Sequence, residues 1–174
     1  MMKITTLLLK NYENGENNMV KDCLFASKEE KKKKIRSFLT KYGDNLPEPA
    51  LLKAEALADR FVLKCDDNDD IISGVTFEKN DWYLCSPRYL ATKQSERRKG
   101  WGEKVYQELF EQMKKDDDCY VITVDVTTDN IASIRLNEKI GMRKVNQFLW
   151  NPNDPSSQID IMQFVKFIPR QEKK

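Results

Sequence analysis

The sequence contains no histidine. That removes the Ser-His-Asp triad, the Cys-His pair and every histidine metal site. Any proton transfer must use a carboxylate, a tyrosine, a lysine, a cysteine, water or the backbone. Cysteine is sparse: Cys23, Cys65, Cys85 and Cys119 stand far apart with no Cys-x-x-Cys. This predicts free thiols in a reducing compartment and no bound metal. Cys85 and Cys119 lie in strand-like runs and read as small core hydrophobes. Long apolar runs are missing too, so no segment is expected to span a bilayer. The stretch Met1 to Lys10 is too short for a signal peptide and lacks a small-residue cleavage site, so it reads as a first strand. Nor is there an excess of one charge. The net charge of +2 creates no global field that demands nucleic acid or acidic lipid.

What is present describes a globular chain. Its 174 residues are 40% hydrophobic and 33% charged, enough for one domain, residues 1–174, with a real core. A cytoplasmic location is expected. Ser27-Lys28-Glu29-Glu30 is a capping box, and Ile35, Phe38, Leu39 and Tyr42 follow at helical spacing. Lys31 to Lys34 read as the solvated face of that helix, and as a nucleic-acid contact only secondarily. Pro49 suits the first turn of a second helix that runs to about Arg60, with Ala50, Ala54, Leu57 and Phe61 on its buried edge. Phe61–Cys65 and Ile71–Phe77 form a hairpin about the acidic turn Asp66–Asp70. A strand from Trp82 to Thr92 is expected to be interrupted near Ser86-Pro87.

Then comes Glu96-Arg97-Arg98-Lys99-Gly100-Trp101-Gly102. Trp101, Val105, Leu109 and Met113 recur every four residues after it, with Tyr106 and Phe110 widening the stripe, which predicts an amphipathic helix. Strand, basic glycine turn and helix start together suit an anion, because unpaired N–H groups and the positive dipole end meet there. Cys119 to Val126 is a near-continuous apolar strand, expected to be buried on both faces and parallel to the strand before the turn. A helix capped by Asp129 and ended by Gly141 follows, then strands over 143–150 and 158–168.

Two patterns carry a family resemblance. Arg97, Gly100 and Gly102 fill Gln/Arg-x-x-Gly-x-Gly/Ala, and Asn130, Ser133, Leu136, Asn137, Glu138, Gly141 and Met142 follow Asn-x-x-Ala-x-x-Leu-Tyr-Glu-x-x-Gly-Phe. On these the chain resembles the GNAT superfamily of N-acetyltransferases, best over residues 61–168. The resemblance implies an α+β fold: a mixed, mostly antiparallel sheet of about seven strands, splayed into a V-shaped cleft between its fourth and fifth strands and flanked by about four helices. It implies an acetyl-CoA-dependent transfer to a primary amine in a ternary complex, by a monomer or homodimer. Acetyl-CoA would lie along Leu90, Ala91 and Thr92. Its pyrophosphate would sit on Arg97, Arg98, Lys99, Gly100, Trp101 and Gly102, with Asn130 and Ser133 beside the pantetheine.

The departure is Asn137, which stands where the family has the tyrosine that protonates the leaving thiolate. An amide is a poor proton donor, so Tyr89, Tyr83 or water would take that role. Alternatively, the chain binds acyl-CoA or a protein partner without catalysis. For the base that deprotonates the amine, the candidates are Asp125, Glu78 and Glu96.

Overall fold

Hydrophobic spacing and local capping account for most elements of the computed structural model, which describes residues 21–44, 46–80, 83–115, 120–150 and 158–169. The expected first strand before Lys10 lies outside these residues, as does Cys119. Helix α1 (Lys28–Tyr42) starts where the Ser27 hydroxyl accepts the Glu30 N–H at 3.1 Å, and it buries Ile35, Phe38 and Leu39. Helix α2 (Glu48–Ala56) is shorter than the sequence suggests. It ends at Leu57, and a separate 3-10 turn covers Ala58–Arg60.

The strands are β1 (Lys21–Asp22), β2 (Val62–Cys65), β3 (Ile71–Lys79), β4 (Leu84–Thr92), β5 (Val121–Thr127), β6 (Arg143–Trp150) and β7 (Ile159–Phe167). They form one seven-stranded sheet in the order β1-β2-β3-β4-β5-β7-β6. Every pairing is antiparallel except β4 with β5. Helices α3 (Trp101–Lys115) and α4 (Ile131–Lys139) complete the four α-helices of the described residues. This is the expected α+β architecture.

The sheet divides the core. On one face α1 and α2 pack with Phe61, Leu63, Ile71 and Ala91. On the other, the α3 stripe of Val105, Tyr106, Leu109, Phe110 and Met113 packs with Val75, Ile122, Val126 and Phe164. Burying such side chains contributes roughly 1.5–3 kcal/mol each.

Three expectations are corrected. The break in β4 is not at Ser86-Pro87. Pro87 pairs with Phe77 and lies just past the last β4–β5 rung, where a missing N–H costs no bond to β5. The irregularity falls at Tyr89, which has φ 54° and forms a bulge where three β4 steps (88 to 91) oppose two on β3 (74 to 76). Second, β5 is buried on one face only: Ile122 and Val126 are buried whereas Asp125 is exposed.

Third, Cys23 and Cys65 are not free thiols. They are joined in a disulfide with Cα atoms 5.1 Å apart, while Cys85 is a buried free thiol. Sequence spacing gave no warning, because the two are brought together by pairing of β1 with β2, Lys21 opposite Cys65. Lys64 binds both Asp22 and Glu108 at 2.5 Å and fastens the same corner.

Candidate functional site

Strands β4 and β5 pair at only two rungs, Leu84 with Val121 and Cys85 with Ile122. The Ser86 and Thr123 hydroxyls still meet at 3.1 Å. Beyond that point β4 runs on to Thr92 and β5 to Thr127 with no rung between them. Backbone polar groups on those inner edges are therefore available to something that enters as an added strand.

The β4 arm leads directly into the basic turn. Arg97 is extended at φ −63° and ψ 151°, Arg98 and Gly100 are left-handed at φ 66° and 83°, and Lys99 is not among the positive-φ residues, so the sign of φ alternates along the turn. A turn of this kind can gather successive N–H groups into a concave anion site. The first helical bond of α3 runs from the Lys104 N–H to the Gly100 carbonyl, so the N–H groups before Lys104 have no acceptor within the helix.

The two glycines do different work. A Cβ at Gly100 would meet nothing within 4 Å, so this residue is there for its left-handed φ and faces open space. A Cβ at Gly102 would stand 3.2 Å from the Leu136 side chain, so this glycine lets α3 approach α4.

A groove of about 440 Å³ follows these elements. Leu90, Ala91, Thr92, Arg97, Arg98, Gly100, Trp101, Gly102, Asn130 and Ser133 all line it. Lys99 does not; it binds Glu96 at 3.0 Å. Glu96 also accepts the Trp101 indole N–H at 3.2 Å, and its carboxyl is held below the usual range, chiefly by the Lys99 hydrogen bond. Glu96 thus braces the turn. The Arg97 guanidinium bonds to other residues of the groove wall, donating to the Thr92 carbonyl at 3.3 Å and to the Tyr42 carbonyl at 3.5 Å.

Tyr42 and Asp44, from the end of α1, also line the groove. Nothing local in the sequence points to them, since only tertiary packing brings them there. Leu136 lines it too, three residues beyond Ser133 on the same helix face. Asn130, not the expected Asp129, caps α4: its side-chain oxygen accepts the Ser133 N–H at 3.1 Å. The capping residue thus lines the groove as well, whereas Asp129 lies one residue too early.

The candidate catalytic residues separate. Thr123 and Asp125 alternate with Ile122, Val124 and Val126, which pack on the α3 side, so Asp125 faces the α1–α2 side. It accepts a hydrogen bond from the Gln163 side chain at 3.0 Å. Tyr89 packs against the α1–α2 cluster on that same side, and burial pushes its phenol above the ordinary value. Asn137 is elsewhere. It is 2% exposed, its side-chain nitrogen has no hydrogen-bond partner, and it is not among the groove residues.

Glu78 is bound by Lys53 at 2.6 Å and by Arg88 at 3.5 Å. The Lys53 hydrogen bond holds its carboxyl below the usual range, which suits a structural anion better than a base. The Lys31–Lys34 run is largely spent locally: Lys32 pairs with Glu29, Lys34 with Glu30, and Lys31 lies over the Phe25 ring. Among the described residues no cluster fit to hold a metal is found, and no helix is long and apolar enough to cross a membrane.

The model of the acetyltransferase (GNAT) family matches residues 25–142. The chain belongs to that family. Solved structures agree on the fold. The ribosomal-protein-S18-alanine N-acetyltransferase from Escherichia coli superposes with a TM-score of 0.66 at 13% identity, over 90% of this chain and 97% of that one. The Salmonella typhimurium protein yncA, solved with its cofactor acetyl-CoA, gives 0.66 at 13% identity over 91% and 98%. An aminoglycoside 6'-N-acetyltransferase complexed with coenzyme A gives 0.64 at 12% identity over 89% and 99%. No curated protein matches the chain by sequence.

Proposed function

We propose that the protein is an acetyl-CoA-dependent N-acetyltransferase acting on a primary amine, working as a single domain. The observation that carries this reading is the split between β4 and β5 that opens into the alternating turn and the start of α3. The residues present fit coenzyme A. The β4 edge at Leu90–Thr92 offers backbone partners to a pantetheine arm. The turn from Arg98 to Gly102 offers converging N–H groups to a pyrophosphate, and Gly100 leaves open space in front of them. Two of the structural relatives were solved with acetyl-CoA or coenzyme A.

Acetyl-CoA supplies an activated acyl group as a thioester. This chain supplies position and proton handling. An alkylamine has a pKa of roughly 10.4 and arrives as ammonium, so a base must take a proton before attack. Asp125 is the residue we assign, since it faces the cleft side of β5. The departing thiolate, with a pKa of roughly 8.5, needs only modest help, and Tyr89, kept protonated by burial, is the donor within the same region.

One observation favours a second reading, a non-catalytic acyl-CoA binder: Asn137 replaces the tyrosine and is buried away from the groove. Release of free thiol from acetyl-CoA in the presence of a mixed amine panel separates the two. Transfer-dependent release supports the enzyme; coenzyme binding without release supports the binder.

A further inference from the structure

On the α1–α2 face of the sheet, Arg88 is a residue that the acyl-transfer reading does not use, and its place on β4 matches that of the assigned base, Asp125, on β5. Arg88 and Asp125 stand at equivalent places on the two arms of the V. The last paired rung is Cys85 with Ile122. Arg88 lies three residues beyond it on β4 and Asp125 three residues beyond it on β5. Ser86 and Thr123, one residue past the rung, touch on this face. With a period of two, Arg88 and Asp125 share their face. Each stands roughly 10 Å beyond the last rung, at about 3.3 Å per residue.

Among the described residues their charges are unbalanced locally. On the β4 arm, Lys53 and Arg88 share one carboxylate, Glu78. Lys53 holds it at 2.6 Å, and Arg88 reaches it only at 3.5 Å with 41% of its side chain exposed. That arm has one cation in surplus. On the β5 arm, the partner of Asp125 is the neutral side chain of Gln163. That arm has one anion in surplus. The two surpluses lie on one face of the sheet, on opposite sides of the gap between β4 and β5, and Tyr89 follows Arg88 at the bulge.

We infer that the acceptor is a small zwitterion of the amino-acid class, its carboxylate bound by Arg88 across the cleft from Asp125, which receives its ammonium. A guanidinium is the side chain that grips a carboxylate through two parallel hydrogen bonds. This inference rests on the amine-acetylating reading of the same cleft, but the binding it requires can be measured without turnover.

The test is titration calorimetry on the whole protein saturated with coenzyme A, using matched ligands: L-lysine, L-lysinamide and cadaverine, then L-alanine, L-alaninamide and ethylamine. The expected result is at least tenfold tighter binding of each free carboxylate than of its amide or decarboxylated partner. In Arg88→Gln that ratio collapses to near one, and in Arg88→Lys it survives in part. Because the ratio is taken within one protein, a change in folded fraction cancels. Equal binding across each set, no binding of any member, or a preference that survives Arg88→Gln overturns the inference. Tighter binding of the amides overturns it in favour of a polypeptide N-terminus. Thiol release without carboxylate preference would leave the acetyltransferase standing and remove this inference. Carboxylate preference without thiol release would do the reverse.

Discussion

Asp125, Glu78 and Glu96 are three carboxylates with three different surroundings, and the surroundings divide their roles. Glu96 is held by Lys99 and the Trp101 indole, and Glu78 by Lys53 and Arg88. Both are stabilised as anions, which weakens them as bases. Among the described residues, Asp125 has a side-chain hydrogen bond from Gln163 alone and an exposed position on β5. Asp125→Asn is therefore expected to lower kcat by ~10²-fold or more while leaving coenzyme A affinity unchanged, measured by steady-state kinetics beside calorimetry.

Glu78 gives a pH prediction with a definite sign. Its pKa in the folded protein is below the ordinary 4.5, so its contribution to stability is complete above about pH 4.5 and is lost as the pH falls through the lower, folded value. Denaturant midpoints measured from pH 6 downwards should hold and then fall below that point. Glu78→Gln should flatten this fall.

At the scale of elements, α3 and the turn before it were the most legible part of the chain. Their signals are local: a four-residue apolar period, two glycines and a run of cations. Gly100 stands out in the motif and has the left-handed φ that favours glycine, while the packing role of Gly102 needed the position of Leu136, which is set by α4. The bulge at Tyr89 was not legible, because it depends on the register of β4 against β3. Nor was the cap of α4: Asp129 and Asn130 have similar capping preferences, and the helix starts at Ile131, which puts Asn130 at the cap. At Gly100, φ is 83°. Gly100→Ala should cost about 1–2 kcal/mol through backbone strain, and should weaken coenzyme binding by distorting the turn. Gly102→Ala should leave the turn intact. Chemical denaturation with calorimetry on both variants checks the contrast.

At the scale of the whole molecule, the parallel relation of β4 and β5 could be read from the strand–turn–helix–strand order, whereas the split between them was implied only by the family resemblance. The covalent tie could not. The disulfide between Cys23 and Cys65 spans a sequence separation of 42 and anchors the segment before α1 to β2. It thereby fixes the helix whose far end, at Tyr42 and Asp44, lines the groove. Cys23→Ser should lower unfolding free energy by about 2–4 kcal/mol, and a dithiol reductant should do the same to the unaltered protein but nothing further to the variant.

The most direct measurement is calorimetric titration of the intact protein with coenzyme A alone. The alternating turn, the free start of α3 and the unpaired β4 edge predict saturable binding of one coenzyme per chain, weakened in Gly100→Ala. No heat and no change in thermal stability at millimolar coenzyme A would contradict the assignment of this groove.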